Sequence, residues 1–119
     1  MSTNGNDPTA HGEHSRTQIL SSRVRIPQHV VYRPFVSETV LLNLETGLYH
    51  GVNPMGGRML EALERAEDVR SAATTLAEEF GVPQSRVEQD IAAFCLGLLE
   101  RELIQLDSAD AGTPRRQTA

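Results

Sequence analysis

The chain has 119 residues, of which 39% are apolar and 23% charged, and its formal net charge is −5. This length allows one domain, because domains usually contain about 100–150 residues. No apolar run is long enough for a transmembrane helix, and no apolar stretch follows a basic start as it does in a secretory signal. The single cysteine, Cys95, excludes an internal disulfide, and we therefore expect a cytoplasmic protein with no membrane partner.

Both ends of the sequence are dominated by polar and small residues. Residues 1–23 and 107–119 carry too few large apolar side chains to offset the entropy lost on ordering, so we expect both segments to be disordered. The folded part then covers residues 24–106, and a domain of this size has only a small core. Such a domain leaves little room for a deep, walled catalytic pocket.

Three runs between residues 30 and 52 have the composition of strands. They read V-V-Y-R-P-F, T-V-L-L-N-L and L-Y-H-G-V, and turn residues separate them. Pro34 cannot donate a hydrogen bond to a neighbouring strand, which puts the first run at a sheet edge or a bulge. A type I turn closed by Gly47 in the left-handed conformation would join the second and third runs as a tight hairpin.

After the third strand, the apolar residues recur at helical spacing. Asn53 is followed by Pro54, which predicts a helix with an asparagine N-cap and a proline at its first position. Asp68 is the expected N-cap of a second helix, whose apolar stripe ends with Phe80. Gly81 is the expected end of that helix.

The third helix is predicted to begin at Ser85, because Glu88 lies three residues later and completes a capping box. Its wide apolar face continues to about Leu103. The predicted order is therefore three strands followed by three helices. A short turn between the second and third helices, beside a three-stranded antiparallel sheet, is the outline of a winged helix-turn-helix in the α+β class.

The side chains that commonly carry catalysis or bind metals form no convincing constellation. His11 and His14 lie in the polar N-terminal segment, while His29 and His50 have no neighbouring ligand at a suitable spacing. Cys95 falls on the apolar face of the third helix, where a buried, inert thiol is expected. We therefore predict no metal site, no cofactor and no catalytic residue, and a binding module instead of an enzyme.

Two glycines lie in Met55–Arg58, at the start of the first helix. The segment lacks the lysine and the full glycine spacing of a phosphate-binding loop, so we reject that function. Glycines in the first turn of a helix instead predict close packing against the hairpin.

The winged-helix outline raises the alternative of a DNA-binding transcriptional regulator, with the third helix as its recognition helix. Residues 27–106 contain six arginines and twelve acidic residues. Because neutralisation of phosphates supplies much of the affinity for DNA, this surface would repel nucleic acid. We therefore expect no nucleic-acid partner.

Two surfaces could instead bind a peptide. One flank of the third strand, Leu48–Val52, can be left unpaired in a three-stranded sheet, and such an edge can accept an added strand. The third helix also carries a stripe beside its core face, and the small residues at its centre would let another chain lie close. The stripe consists of Arg86, Asp90, Ala93, Gly97 and Arg101. The pattern alone leaves open that this stripe is only solvated helix surface.

Three segments resemble the PqqD family, and the likeness extends over residues 26–106. The most specific is T-V-L-L-N-L-E-T-G-L-Y-H-G-V-N-P-M-G, at residues 39–56. The other two are the acidic amphipathic helix E-D-V-R-S-A-A-T-T-L-A-E-E-F-G-V-P and the segment V-E-Q-D-I-A-A-F-C-L-G-L-L-E-R-E-L-I. The resemblance implies a small winged-helix domain of the kind called a RiPP recognition element.

Such domains bind the leader segment of a ribosomally made precursor peptide and deliver it to a modifying enzyme. The resemblance implies that the leader lies as an extra antiparallel strand along the third strand, in the groove against the third helix. It favours a binding role for the helix stripe over plain solvation. The peptide-binding residues implied are Leu48, Tyr49, His50, Gly51, Val52, Arg86, Asp90, Ala93, Phe94 and Gly97.

The resemblance implies two possible partner enzymes. The founding members serve pyrroloquinoline quinone synthesis beside a radical-SAM enzyme, whereas the PqqD-like branch includes recognition proteins of lasso-peptide pathways, which work with a leader peptidase and a cyclase. The LLNLETGLYHGVN stretch is more similar to that branch. Residues 101–103 read Arg-Glu-Leu where many relatives have a glycine before the leucine, so the end of the third helix is not fixed by the resemblance.

Overall fold

A computed structural model describes residues 15–108. Two elements precede the predicted strands, and one follows the predicted helices. In chain order, the elements are α1 (Arg16–Leu20), β1 (Ser22–Arg25), β2 (Val30–Pro34), β3 (Thr39–Asn43), β4 (Tyr49–Val52), α2 (Pro54–Arg65), α3 (Val69–Phe80), α4 (Gln84–Glu100) and β5 (Gln105–Ser108).

Strands β2, β3 and β4 form an antiparallel sheet in that order. Pro34 lies on the outer strand β2 and pairs with Thr39 of β3. Its missing N–H costs no hydrogen bond, because within residues 15–108 no strand of the sheet lies on the other side of β2. Gly47 has a φ of 78° and donates its N–H to the Asn43 carbonyl at 2.8 Å, so its left-handed conformation is confirmed. The α+β class with a three-stranded antiparallel sheet is therefore confirmed.

The predicted caps of α2 and α3 are confirmed. The Asn53 side chain accepts a hydrogen bond from the backbone N–H of Gly56 at 2.8 Å, and Pro54 begins α2. Asp68 likewise caps α3, and Gly81 ends that helix with a φ of 66°.

The predicted start of α4 at Ser85 is wrong. The helix begins at Gln84, Pro83 is its N-cap, and no side chain caps it. The Pro83 carbonyl accepts the backbone N–H groups of Arg86 and Val87, so the proline already provides the first helical acceptor. Ser85 therefore lies inside the first turn, where its hydroxyl cannot act as a cap.

The end of α4 is a left-handed turn one residue after the C-cap. The N–H of Glu102 bonds to the Leu99 carbonyl, and that of Leu103 bonds to the Leu98 carbonyl, which is the Schellman arrangement. Glu102 takes a φ of 60°, a conformation that glycine adopts without steric cost. The helix therefore ends at Glu100 and not at Leu103 as the apolar pattern predicts.

The substitution Glu102→Gly should stabilise the fold by about 1 kcal/mol, because it removes the cost of a left-handed non-glycine residue. Equilibrium urea unfolding measures this gain. Glu67→Gly, at an exposed position with no positive φ, is the control and should not stabilise the protein. A destabilised Glu102→Gly variant would contradict the turn geometry.

The expectation of disorder is wrong for residues 15–23, 107 and 108. Helix α1 buries Ile19 and Leu20, which are 2% and 5% exposed, in the main core. Strand β1 pairs antiparallel with β5, and Arg25 and Asp107 form an ion pair across this ladder at 3.0 Å. The expectations for residues 1–14 and 109–119 lie outside the described residues.

The main core lies among the helices and the inner face of the sheet. Cys95 is fully buried there, and burial raises the pKa of its thiol to about 12, so the thiol stays protonated. Within residues 15–108, no helix is long and apolar enough to cross a membrane, and no cluster of three or more metal-ligating side chains occurs.

Candidate functional site

Strand β4 has one unpaired edge. Within residues 15–108 it pairs only with β3, which lies between β2 and β4. The N–H of Asn43 bonds to the carbonyl of Leu48 at 2.9 Å, which fixes the alternation of bonds along this antiparallel pair. His50 and Val52 therefore bond to β3, and the N–H and C=O groups of Tyr49 and Gly51 point outward, ready to pair with another strand.

A groove separates the end of β4 from α4. It has a volume of about 470 Å³, and Gly56 lies at its base. A Cβ atom on Gly56 would lie 3.0 Å from Val52 Cβ and 3.2 Å from Phe94 Cε1, so a larger residue would require these neighbours to shift, and glycine allows the close approach of α2 to both elements. The residues that line the groove are Val52, Asn53, Met55, Gly56, Met59, Asp90, Ala93 and Phe94.

The groove continues into an apolar cavity of about 250 Å³ among α2, α3 and α4. Met55, Met59 and Asp90 line both spaces. Phe80 and Val82 are partly exposed at this cavity, so apolar surface is available for a ligand side chain. The lining residues are Met55, Met59, Leu76, Phe80, Val82, Arg86, Val87 and Asp90.

A second cavity, which we call the distal cavity, lies at the other end of β4. Its volume is about 340 Å³, and it is more polar in composition than the apolar cavity. Its lining residues are Asn43, Thr46, Leu48, Tyr49, His50, Arg101, Glu102 and Leu103. The groove and the distal cavity therefore flank the unpaired edge of β4.

An ion pair connects α2 and α3, two of the helices that line the apolar cavity. Arg58 of α2 donates two hydrogen bonds to the carboxylate of Glu79 on α3, one of them at 2.9 Å. The bonded guanidinium holds the pKa of Glu79 below its usual value. This bidentate contact joins α2 and α3 beside the site.

The model of the family described as Coenzyme PQQ synthesis protein D, PqqD, matches residues 38–104, more than half of the chain. The chain belongs to the PqqD family. A comparison with curated proteins gives no match.

Two solved structures share the PqqD-like fold. The chain is similar to "TbiB1 in Complex with the TbiA(beta) Leader Peptide", with 30% identity and a TM-score of 0.61, over 68% of this chain and 94% of that one. It is also similar to "Lasso peptide synthetase B1 complexed with the leader peptide", with 22% identity and a TM-score of 0.61, over 70% and 98% of the two chains. Both structures are leader-peptide complexes.

Five of the ten peptide-binding residues predicted for this PqqD-family chain lie along the groove and the apolar cavity that continues it. Val52, Asp90, Ala93 and Phe94 line the groove, and Arg86 lines the apolar cavity. Leu48, Tyr49 and His50 line the distal cavity instead. The strand residues are thus divided between the two ends of β4.

Two predicted residues line none of these spaces. Gly51 lies on the exposed edge, where the Glu38 side chain covers its α-carbon. Gly97 lies on α4, and its carbonyl accepts a hydrogen bond from Arg101 at 3.2 Å.

Sequence reasoning missed the apolar cavity of the PqqD-family fold. The apolar pattern predicts that Phe80 ends the buried stripe of α3, but Phe80 is 41% exposed and lines the cavity with Val82. The available signal was a pair of large apolar residues on either side of a helix-ending glycine. It also missed Asn43 and Glu102 at the distal cavity, because each is a turn residue whose structural role is apparent first.

Proposed function

We propose that this chain binds the leader segment of a ribosomally synthesised precursor peptide and presents it to a modifying enzyme. The observation that carries the proposal is the unpaired edge of β4 beside the groove. Strand addition at an edge combines backbone hydrogen bonds, which supply affinity, with pockets for alternate side chains, which supply specificity. The leader would pair with Tyr49 and Gly51 and run between β4 and α4.

The alternation of a strand assigns the leader side chains to two directions. Every second side chain would enter the groove towards Val52, Ala93 and Phe94, while those between would face away from α4. A large apolar side chain at the groove end would fill the apolar cavity, where Phe80 and Val82 are partly exposed. The proposed peptide-binding set is therefore Leu48, strand β4 and the facing residues of α4.

The lasso-peptide branch is the pathway that the similarities favour. Both similar structures are described as complexes with a leader peptide, and one description names a lasso peptide synthetase. The partner would then be a separate leader peptidase acting with a cyclase. Pyrroloquinoline quinone synthesis with a radical-SAM enzyme is the alternative branch, and the cytoplasm is the compartment in which either would operate.

The chain itself would act as a chaperone and not as an enzyme. Cys95, a potential nucleophile, is buried, and its thiol has a pKa raised to about 12. The described part of the groove carries one ionisable side chain, Asp90, without an adjacent base or acid of the kind that paired catalysis requires. The chemistry is therefore assigned to the partner.

The architecture proposed is a winged helix-turn-helix, with α3 and α4 as the two helices of the motif and the β2–β4 sheet as the wing. In a transcriptional regulator, α4 would read DNA. Exposed acidic residues on and after α4 (Asp90, Glu100 and Glu102) argue against that function, because they repel phosphates. The protein should therefore not bind duplex DNA at low salt.

The substitution Ala93→Trp tests the proposed groove, because Ala93 is exposed on α4 and its replacement fills the space beside β4 without entering the core. The probe is the leader peptide of the precursor encoded beside this gene. We expect the wild-type complex to shift the amide resonances of Tyr49, Gly51 and α4, and the variant to bind at least roughly tenfold more weakly, which is about 1.4 kcal/mol.

Thr75→Trp is the matched control, because Thr75 is exposed on α3 and lines none of the three spaces. It should bind the leader as the wild type does. Amide shifts that avoid β4 and α4, or equal binding by Ala93→Trp, would reject the site.

A further inference from the structure

We propose that the distal cavity is a subsite for a side-chain carboxamide, that of glutamine or asparagine, in the bound peptide. The inference rests on the proposed function, since the cavity lies at one end of the β4 edge along which the peptide would run. The cavity offers both a hydrogen-bond donor, on Asn43, and an acceptor, on Glu102. A carboxamide is the side-chain group that carries the matching acceptor and donor together.

The donor is the amide nitrogen of Asn43, a residue that is only 9% exposed. Its Oδ1 accepts the backbone N–H groups of Glu45 at 2.9 Å and Thr46 at 3.2 Å, which fixes the orientation of the amide. Within residues 15–108, Nδ2 has no hydrogen-bond acceptor. A buried donor without an acceptor is unfavourable, and a ligand oxygen in the cavity would satisfy it.

The acceptor is the carboxylate of Glu102. It forms no hydrogen bond or ion pair with another described residue, and it belongs to the residue whose left-handed conformation ends α4. The neighbouring cation, Arg101, folds back along its own helix and donates to the Gly97 carbonyl. A non-glycine residue in this strained conformation is a feature that functional sites often retain.

The pair of groups selects against other side chains. A ligand carboxylate would satisfy Asn43 but would meet the negative charge of Glu102, while Arg101, the cation that also lines the cavity, is bonded to the Gly97 carbonyl of its own helix. A ligand ammonium would bind Glu102 but would leave the Asn43 donor unsatisfied, and an aliphatic side chain would satisfy neither group. A peptide strand paired antiparallel with Tyr49 and Gly51 brings its C-terminal side to this end of β4, so the carboxamide should follow the paired residues.

The test uses small probes and therefore does not depend on a leader. N-acetylglutamine methylamide is titrated into the full chain, and the side-chain amide resonances of Asn43 are followed by NMR. We expect saturable shifts at millimolar concentrations, and at least fivefold weaker binding of the glutamate and leucine analogues. Equal affinities for the three probes, or no shift of the Asn43 amide, would overturn the inference.

Two variants separate the donor from the acceptor. Asn43→Asp keeps the oxygen that bonds to the Glu45 and Thr46 amides but removes the donor, so the glutamine preference should fall at least fivefold. Glu102→Gln removes the charge and keeps a non-glycine residue at the left-handed position, and the glutamate probe should then bind as well as the glutamine probe. Thr75→Asp, which adds a charge on α3, should leave all three affinities unchanged. A preference that persists in both cavity variants would assign it to another site and overturn the inference.

The outcomes also distinguish this subsite from the leader-binding function. If the leader shifts β4 and α4 while the three probes bind equally, the subsite is rejected and leader binding stands. If the glutamine probe binds selectively while the leader does not bind, the carboxamide site stands and its assignment to a leader is rejected.

Discussion

A leader peptide methylated at one backbone nitrogen at a time should lose affinity at two alternate residues and keep it at the residue between them. Only Tyr49 and Gly51 direct their N–H and C=O groups to the free edge of β4, so only the peptide residues opposite them would donate hydrogen bonds. Methylation there removes a donor and leaves a carbonyl of β4 unsatisfied under the peptide. The expected loss is roughly 10- to 100-fold at each position, corresponding to about 1–3 kcal/mol.

Isothermal titration calorimetry with the unmodified protein measures these affinities, so that no substitution disturbs the fold. The peptide residue opposite His50 is the internal control, because its N–H would point away from β4, and its methylation should change the affinity less than about threefold. A loss that is uniform along the peptide, or that repeats every third or fourth residue, would indicate a helical ligand in the groove and would reject strand addition.

The parts of the fold that could be predicted from the sequence are those fixed by local chemistry. Gly47 and Gly81 take left-handed conformations at little steric cost; Gly47 closes the hairpin turn and Gly81 ends α3, both where predicted. Asn53 and Asp68 accept hydrogen bonds from the first turns of their helices. In each case the signal and the structure it specifies lie within a few residues.

The elements that escaped prediction depend on distant partners. Strand β1 is short and polar, and it becomes a strand only because β5 pairs with it; Arg25 and Asp107, which join the two, are 82 positions apart. Helix α1 does carry a local signal, the capping box of Ser15 and Gln18. A helix of five residues is not stable by itself, so α1 depends on the burial of Ile19 against the core.

The candidate site, too, has parts that could be predicted from the sequence and parts that could not. The free edge of β4 followed from strand order, and Asp90 and Ala93 of α4 followed from helical spacing, because both patterns are regular. The resemblance to the PqqD family implied that the two surfaces form one groove, and it added Phe94. The apolar cavity did not follow, since it forms where the turn at Gly81 turns Phe80 and Val82 towards Met55 and Met59 of another helix. Neither did the unsatisfied amide of Asn43, because a sequence shows which polar groups are present and not which of them remain without partners.

The close approach of α2 to the sheet leads to the largest expected effect on stability, that of Gly57→Ala. A Cβ atom on Gly57 would lie 2.2 Å from Thr39 Oγ1 and 3.1 Å from Thr39 Cβ, and Thr39 is 5% exposed within β3. A change of the threonine rotamer would remove the first clash but not the second, so α2 must move away from the sheet. The cost of such overpacking is about 1–3 kcal/mol.

The net change in the stability of Gly57→Ala also includes a gain, because alanine is favoured over glycine inside a helix by about 1 kcal/mol. Gly97→Ala measures that gain by itself: the nearest atom to a Cβ at this position of α4 is Arg101 Nη1, at an ordinary 3.8 Å, so this variant should be stabilised. Equilibrium urea unfolding of both variants should therefore give changes in stability of opposite sign, with Gly57→Ala less stable than the wild type.

Adding Thr39→Ala should cost less stability in the Gly57→Ala background than in the wild type, because it removes the closer of the two clashes. A Gly57→Ala variant as stable as Gly97→Ala would mean that α2 does not pack on Thr39, and the groove bounded by Val52 and Gly56 would then lose its structural basis.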